Sequence, residues 1–112
     1  MFTIAFLTKR RPDLSLDEYL HHYEKVHFPL AVKLPGLVSY TQQPIVHGGW
    51  NGTDSFPEYD GLSLYTFESK DEADAAFASP AGVALNEDTG LFMDWPSVLS
   101  IPVETLQQFV RS

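Results

Sequence analysis

Cysteine is absent from the 112-residue sequence, which excludes disulfides, thiol nucleophiles and metal sites held by cysteine. Positive charge is scarce: 7 Lys and Arg stand against 15 Asp and Glu, a net charge of −8. Nucleic acid and anionic membrane surfaces are therefore poor candidate partners, because both repel an acidic protein. No apolar run approaches the ~18 residues of a membrane span, and no signal segment opens the sequence. We expect a cytoplasmic protein.

The glycine motifs that bind phosphates, G-x-G-x-x-G and Walker A, are also missing. What is present has the composition of a folded protein, with 44% hydrophobic and 13% aromatic residues. The length is that of one domain. The sequence therefore predicts a single domain over residues 1–112.

Hydrophobic periodicity and turn residues predict the element order β-α-β-β-α-β. Serines three residues before glutamates, at Ser15 and Ser69, are typical of capping boxes at helix starts. Pro80 is expected at the tolerated first position of a further helical segment. This order is that of the α+β ferredoxin-like fold, the split βαβ arrangement. The predicted strands are 1–8, 37–46, 62–67 and 98–106, and the two main helices are 16–34 and 70–77.

Three predicted strands carry apolar residues on both faces. In the first, Phe2, Ile4 and Phe6 alternate with Ala5 and Leu7. The helices of a ferredoxin-like fold cover only one face of the sheet, so the other face needs a partner. A homodimer is the favoured prediction, because an exposed apolar sheet face favours association with a second copy of the chain.

His27 is the most informative polar residue of the first helix. It lies about 40° from Tyr23 on a helical wheel, within the apolar stripe. Pro29 cannot donate to the carbonyl of Lys25, so the helix should kink or break there. A break beside an inward-facing His opens space, and His is the commonest general acid or base. The alternative is a buried His held structurally by a backbone carbonyl.

Three other motifs are weaker evidence for a function. His22 and His27 are five positions apart and do not share a helix face, so no metal site is expected. Asp88-Thr89-Gly90 matches the aspartic-protease tripeptide, but Asn86 and Glu87 precede it instead of an apolar strand, and we interpret it as a helix-ending turn. His47-Gly48-Gly49-Trp50 is similar to a hydrolase oxyanion-hole motif, without the Gly-x-Ser-x-Gly that should follow.

Aromatic residues predict the interior and a ligand pocket. Several buried Tyr hydroxyls in one small domain indicate a cavity with polar anchors, because each hydroxyl needs a partner. The 47–57 loop is flexible through Gly48, Gly49 and Gly52 and carries Trp50, so we expect it to pack over a cleft or onto a partner subunit. The predicted pocket residues are Tyr23, Tyr65, Phe67, Phe92, Trp95, His47 and Trp50.

The chain resembles the EthD family of dimeric α+β-barrel proteins, named for ethyl tert-butyl ether degradation. The specific part of the resemblance is the His-x-Pro of His27 and Pro29, followed by Leu34-Pro35-Gly36. Matching residues also lie at 10–12, 17–19, 23–30 and Tyr40, with a looser match over 85–94.

The resemblance implies a homodimeric barrel that needs no cofactor and has a small-molecule cleft between sheet and helices. Relatives include quinone-forming monooxygenases, cyclases, isomerases, dehydratases and decarboxylases, and others without demonstrated activity. One hypothesis is an enzyme acting on a small apolar or aromatic carbonyl compound, with His27 as general acid/base and Tyr40 donating to the substrate oxygen. The alternative is a non-catalytic ligand-binding or accessory protein of an oxidative degradation pathway, in which His27 is structural.

Overall fold

The computed structural model describes residues 1–112 and has the predicted ferredoxin-like order. The helical elements are α1 Leu16–His22, a π-helical turn Tyr23–His27, α2 Phe28–Ala31, α3 Lys70–Ala78, α4 Pro80–Phe92 and a short 3₁₀ turn Trp95–Ser97. The strands are β1 Phe2–Thr8, β2 Leu37–Pro44, β3 Gly61–Phe67 and β4 Leu99–Glu104.

The four strands form one antiparallel sheet in the order β2-β3-β1-β4. The two central strands, β1 and β3, pair in register from Phe2 with Phe67 to Thr8 with Gly61. Pro44 is the last residue of the edge strand β2, where its missing N–H costs no ladder bond.

Helix starts follow the predicted capping signals. Ser15 and Glu18 form a full capping box at α1. At α3, Ser69 accepts from the backbone N–H of Glu72, and the reciprocal bond is not formed. Pro80 begins α4 as expected, with Ser79 as its cap. None of these helices has the length and hydrophobicity of a membrane-spanning segment.

The predicted interruption of the first helix takes the form of a wide turn directly before Pro29. Over Tyr23–His27 the backbone is π-helical, and the N–H of Phe28 donates to the carbonyl of Tyr23 five residues earlier. Pro29 lacks an N–H, and its ring would collide with the Lys25 carbonyl in a regular α-helix. Instead of breaking, the helix widens by one residue and continues through Ala31.

The core lies between the helices and one face of the sheet. Its main cluster is built on Phe2, Tyr65 and Phe67 from the sheet and Ala73 and Leu85 from the helices. A smaller aromatic cluster joins α1 and the π-turn to the end of α4, through Tyr19, Tyr23, Phe92 and Met93. The helices thus cover a single face.

The outer face of the sheet is apolar, as predicted from the strands. Ala5 pairs with Ile101 and with Leu64, so these side chains share that face. On the edge strand β4, Leu99, Ile101 and Val103 are 47%, 51% and 46% exposed. The chain therefore presents an uncovered apolar surface.

Candidate functional site

A small cavity lies between the helix-facing side of the sheet and α4. It measures about 380 Å³ including its open mouth. Its apolar walls come from both layers, with Phe6 from β1 and Leu85 from α4. No Lys, Arg, Asp or Glu lines it. The lining residues are Phe6, Thr8, His27, Ser63, Tyr65, Phe77, Leu85, Asn86, Thr89, Met93, Trp95 and Val98.

His27 is the ionisable imidazole of this cavity. The π-helical turn places it inward, and only 2% of the residue is exposed. Its Nδ1 lies 2.7 Å from Oδ2 of Asp88 on α4. Because a carboxylate can only accept, Nδ1 carries the proton and donates it to Asp88. No fully buried side-chain nitrogen or oxygen lacks a partner, so Nε2, which has no hydrogen bond, keeps some accessible surface, and His27 lines the cavity.

Burial lowers the pKa of His27, because it penalises the charged imidazolium. The hydrogen bond to Asp88 and the negative charge of Asp88 raise the pKa in part, and His22 lowers it. The ring is therefore neutral at pH 7, with a lone pair on Nε2 as the available base.

Asp88 binds a second imidazole as well. Its other oxygen, Oδ1, lies 2.8 Å from Nε2 of His22 on α1. Phe92, one turn further along α4, stacks on His22 with ring centroids 4.4 Å apart and lies 4.9 Å from His27. One carboxylate thus joins α1, the π-turn and α4 through two hydrogen bonds.

Tyrosines and a glutamine form a polar network over the adjoining part of the sheet. Tyr23 hydrogen-bonds to the Ser63 hydroxyl. Gln42 donates to the backbone carbonyl of Tyr23 at 2.7 Å and to the Tyr40 hydroxyl at 2.9 Å. Burial raises the pKa of Tyr40, and it raises that of Tyr65 well above the usual range. These phenols stay protonated and can donate.

Comparison with known proteins identifies the family of this chain. The EthD domain model matches residues 11–96, most of the chain. The chain belongs to the EthD family. None of the curated proteins compared matches it significantly.

Solved structures share the fold of this EthD domain at low identity. An ethyl tert-butyl ether degradation family protein from Bacillus halodurans has a TM-score of 0.77 at 20% identity, over 95% of this chain and 100% of that one. A dimeric ferredoxin-like protein of unknown function from Thermobifida fusca has a TM-score of 0.72 at 12% identity, over 93% and 90%. SnoaB, a cofactor-independent oxygenase from Streptomyces nogalater, has a TM-score of 0.66 at 10% identity, over 98% and 97%.

The EthD domain brings some of the predicted site residues together and leaves others apart. His27, Tyr65 and Trp95 line the cavity. The remaining aromatic candidates do not line it. Phe67 lies in the main core and Phe92 in the aromatic cluster, while Tyr23 and Tyr40 lie in the polar network behind Ser63 and Tyr65.

The two predicted pocket residues of the 47–57 loop, His47 and Trp50, lie away from the cavity. His47 is close to Asp54, at 3.4 Å from Nδ1, and its Nε2 lies 4.0 Å from Asp60. Trp50 is 83% exposed and pairs only locally with Thr53. In the single chain the loop does not line the cavity, which is one of the two arrangements expected for it. Packing on a partner subunit stays a prediction.

Sequence reasoning missed Asp88, which lies inside α4 and not in a helix-ending turn. The sequence does contain a signal that Asp88 faces inward. Leu85, Asp88 and Phe92 are spaced i, i+3, i+7, so the carboxylate falls within the apolar stripe of the helix. A buried charge needs a hydrogen-bonding partner, and an inward-facing His elsewhere in the sequence is a candidate. No group of three or more His, Asp or Glu side chains has a geometry that could hold a metal ion.

Proposed function

We propose that this EthD domain is an enzyme that moves a proton on a small, uncharged carbonyl compound, with His27 as the general base. The observation that carries the proposal is the neutral, buried imidazole that lines an apolar cavity, whose Nδ1 is held by Asp88 and whose Nε2 keeps some accessible surface. A neutral base fixed in one tautomer is what proton abstraction requires.

The step is a proton transfer from substrate to Nε2. A C–H next to the carbonyl loses its proton to the lone pair, a C=C bond forms and the carbonyl π pair moves to the oxygen, giving an enolate. An enol or phenol O–H loses its proton in the same way and keeps the bonding pair on its own oxygen. The imidazolium formed is stabilised by the Asp88 carboxylate already bound to Nδ1. Isomerisation, cyclisation, dehydration and cofactor-free oxygenation of such compounds all include this step.

The cavity lining supports an uncharged, apolar or aromatic substrate. No permanently charged side chain faces it, so a carboxylate or phosphate would find no partner there. We propose that the Tyr65 hydroxyl donates to the developing oxyanion, since this phenol lines the cavity. Tyr40 packs against it with ring centroids 4.5 Å apart, and we assign it a supporting role.

We also propose that the protein is a homodimer, closed over the outer face of the sheet. The apolar surface of β4 is uncovered in the single chain, and structurally similar proteins are described as dimeric. Pairing two copies would bury Leu99, Ile101 and Val103 without touching the cavity side of the sheet.

A second candidate function is non-catalytic ligand binding or an accessory role in a degradation pathway. The observation that favours it is that Asp88 joins three helical segments through His22 and His27. These hydrogen bonds would also suit a purely structural role, in which they hold the segments together. In that case His27 would contribute to folding and not to turnover.

The experiment that separates these candidates is proton exchange in D₂O. Wild-type protein is incubated with cyclohexanone and with α-tetralone, and loss of the α-proton NMR signal is followed over time. We expect faster exchange than in buffer, and loss of the acceleration in His27→Gln, since an amide cannot exchange a proton near pH 7. His21→Gln is the control, because His21 is the neighbouring surface imidazole. Equal acceleration by folded wild type and His27→Gln would favour the accessory role.

A further inference from the structure

His22 is the second imidazole on Asp88, and it differs from His27 in its surroundings. Its side chain is 24% exposed, against 3% for that of His27. It also lines a shallow recess on the outside of the protein, between the start of α1 and Leu91. A single carboxylate therefore connects an imidazole facing the cavity with one facing solvent.

The hydrogen-bond chemistry defines where His22 can take up a proton. Its Nε2 donates to Oδ1 of Asp88 at 2.8 Å. Its Nδ1 makes no hydrogen bond within the chain, so further protonation occurs there, on the side away from Asp88. Charging His22 leaves the bond to Asp88 in place and adds a positive charge next to the carboxylate that supports His27.

The two imidazoles differ in hydration. His22, whose side chain is partly exposed, keeps contact with solvent, whereas burial lowers the pKa of His27 because it penalises the charged imidazolium. Once charged, His22 offsets the negative charge of Asp88 that favours the His27 imidazolium. The positive charge of His22 thereby lowers the pKa of His27.

We propose that His22 is a positioning residue through which the pH of the solvent adjusts the basicity of His27, by way of the Asp88 carboxylate that both share. The consequence for activity rests on the proposed role of His27 as base. The coupling itself is a property of the free protein and needs no substrate.

Other titratable and charged groups surround this pair without binding the Asp88 oxygens. Around His22 lie three groups of the same recess, Asp17, Glu18 and His21. Glu87, beside Asp88 on α4, is exposed. Arg11 forms an ion pair with Asp13 and donates to the Leu91 carbonyl. Around His27 lie the phenols of Tyr23 and Tyr65. His22 is thus the one titratable group that shares the carboxylate with His27.

The test is an NMR titration of the four imidazoles in the free protein, each assigned by its own His→Gln variant. In His22→Gln the side-chain amide keeps an N–H donor for Asp88 but cannot charge, so the midpoint of His27 should move to higher pH. In His22→Lys the charge is present throughout the range, so the midpoint should not move to higher pH. His21→Gln, one residue away in the same recess, should leave His27 unchanged.

Two outcomes would overturn the proposal. One is an unchanged His27 midpoint in folded His22→Gln. The other is a shift of the same sign in Gln and Lys variants, which would report a change of packing and not of charge. Thermal unfolding of each variant confirms that it is folded. Because the titration is read without substrate, absence of carbonyl chemistry would contradict the proposed function and leave this coupling standing.

Discussion

His27 Nδ1 and Asp88 Oδ2 are 2.7 Å apart although 61 positions separate the two residues in the chain. The bond crosses from the π-helical turn to α4, at the point where α4 forms one wall of the cavity. Both partners are almost fully buried. The same hydrogen bond therefore fixes the orientation of the imidazole and holds two helical segments together, and its removal should be seen in both stability and titration.

Asp88→Asn should lower the free energy of unfolding and the pKa of His27. The amide keeps one acceptor oxygen, so one of the two imidazole N–H groups loses its partner, at a cost of about 1–3 kcal/mol. The pKa of His27 falls because the carboxylate, which raises it, is gone. Urea unfolding and an NMR titration measure the two effects, with the exposed Glu87→Gln as matched control. A variant as stable as the control would show that the bond contributes nothing to folding.

Stability should fall as the solution becomes acidic, partly through His27. Burial places its folded-state pKa below the ordinary value of 6.5, so the unfolded chain binds more protons in this range. The contribution of neutral His27 is fully present above pH 6.5, declines as the pH falls below that value, and is lost once the pH is below the folded-state pKa.

Thermal unfolding from about pH 8 to pH 5 measures this dependence. His27→Gln should show a shallower decline than wild type over that range, whereas His21→Gln should not differ from wild type. A decline equally steep in wild type and His27→Gln would mean that other groups account for the acid sensitivity.

Ile101→Lys should shift the protein from dimer to monomer. In the single chain Ile101 is 51% exposed on the apolar outer face of the sheet, and dimerisation would bury it. Wild type should sediment at about twice 12.6 kDa at micromolar concentration. Val83→Lys is the matched control, because Val83 is 50% exposed on α4, on the helix side. Wild type sedimenting as a monomer, or both variants staying dimeric, would contradict the predicted interface.

Trp50 should report on the same association if the 47–57 loop packs on the partner subunit. In the single chain Trp50 is 83% exposed, so its emission should be that of an indole in water when the protein is monomeric. Fluorescence is measured in a Trp95→Phe background, which leaves Trp50 as the one remaining Trp. We expect a red shift on dilution through the dimer transition. An emission maximum that stays unchanged on dilution would place the loop away from the interface.

Local signals in the sequence determined the elements and the faces that they present. The capping box at Ser15 and the proline at position 80 define helix starts through bonds to neighbouring residues. Pro29 acts on the carbonyl four residues before it, so the interruption next to His27 is also a local effect. Alternation along the strands was sufficient to predict a sheet with two apolar faces, because side-chain direction has period 2.

Only the tertiary structure decided which inward-facing residues form the cavity and which partner His27 has. Phe67 and Tyr65 share a face of β3, yet the helices seal Phe67 into the core and leave Tyr65 lining the cavity. Asp88 meets His22 and His27 across 66 and 61 positions, as α4 packs against α1 and the π-turn. Such contacts depend on how separate elements pack, and neither periodicity nor local propensity carries that distance information.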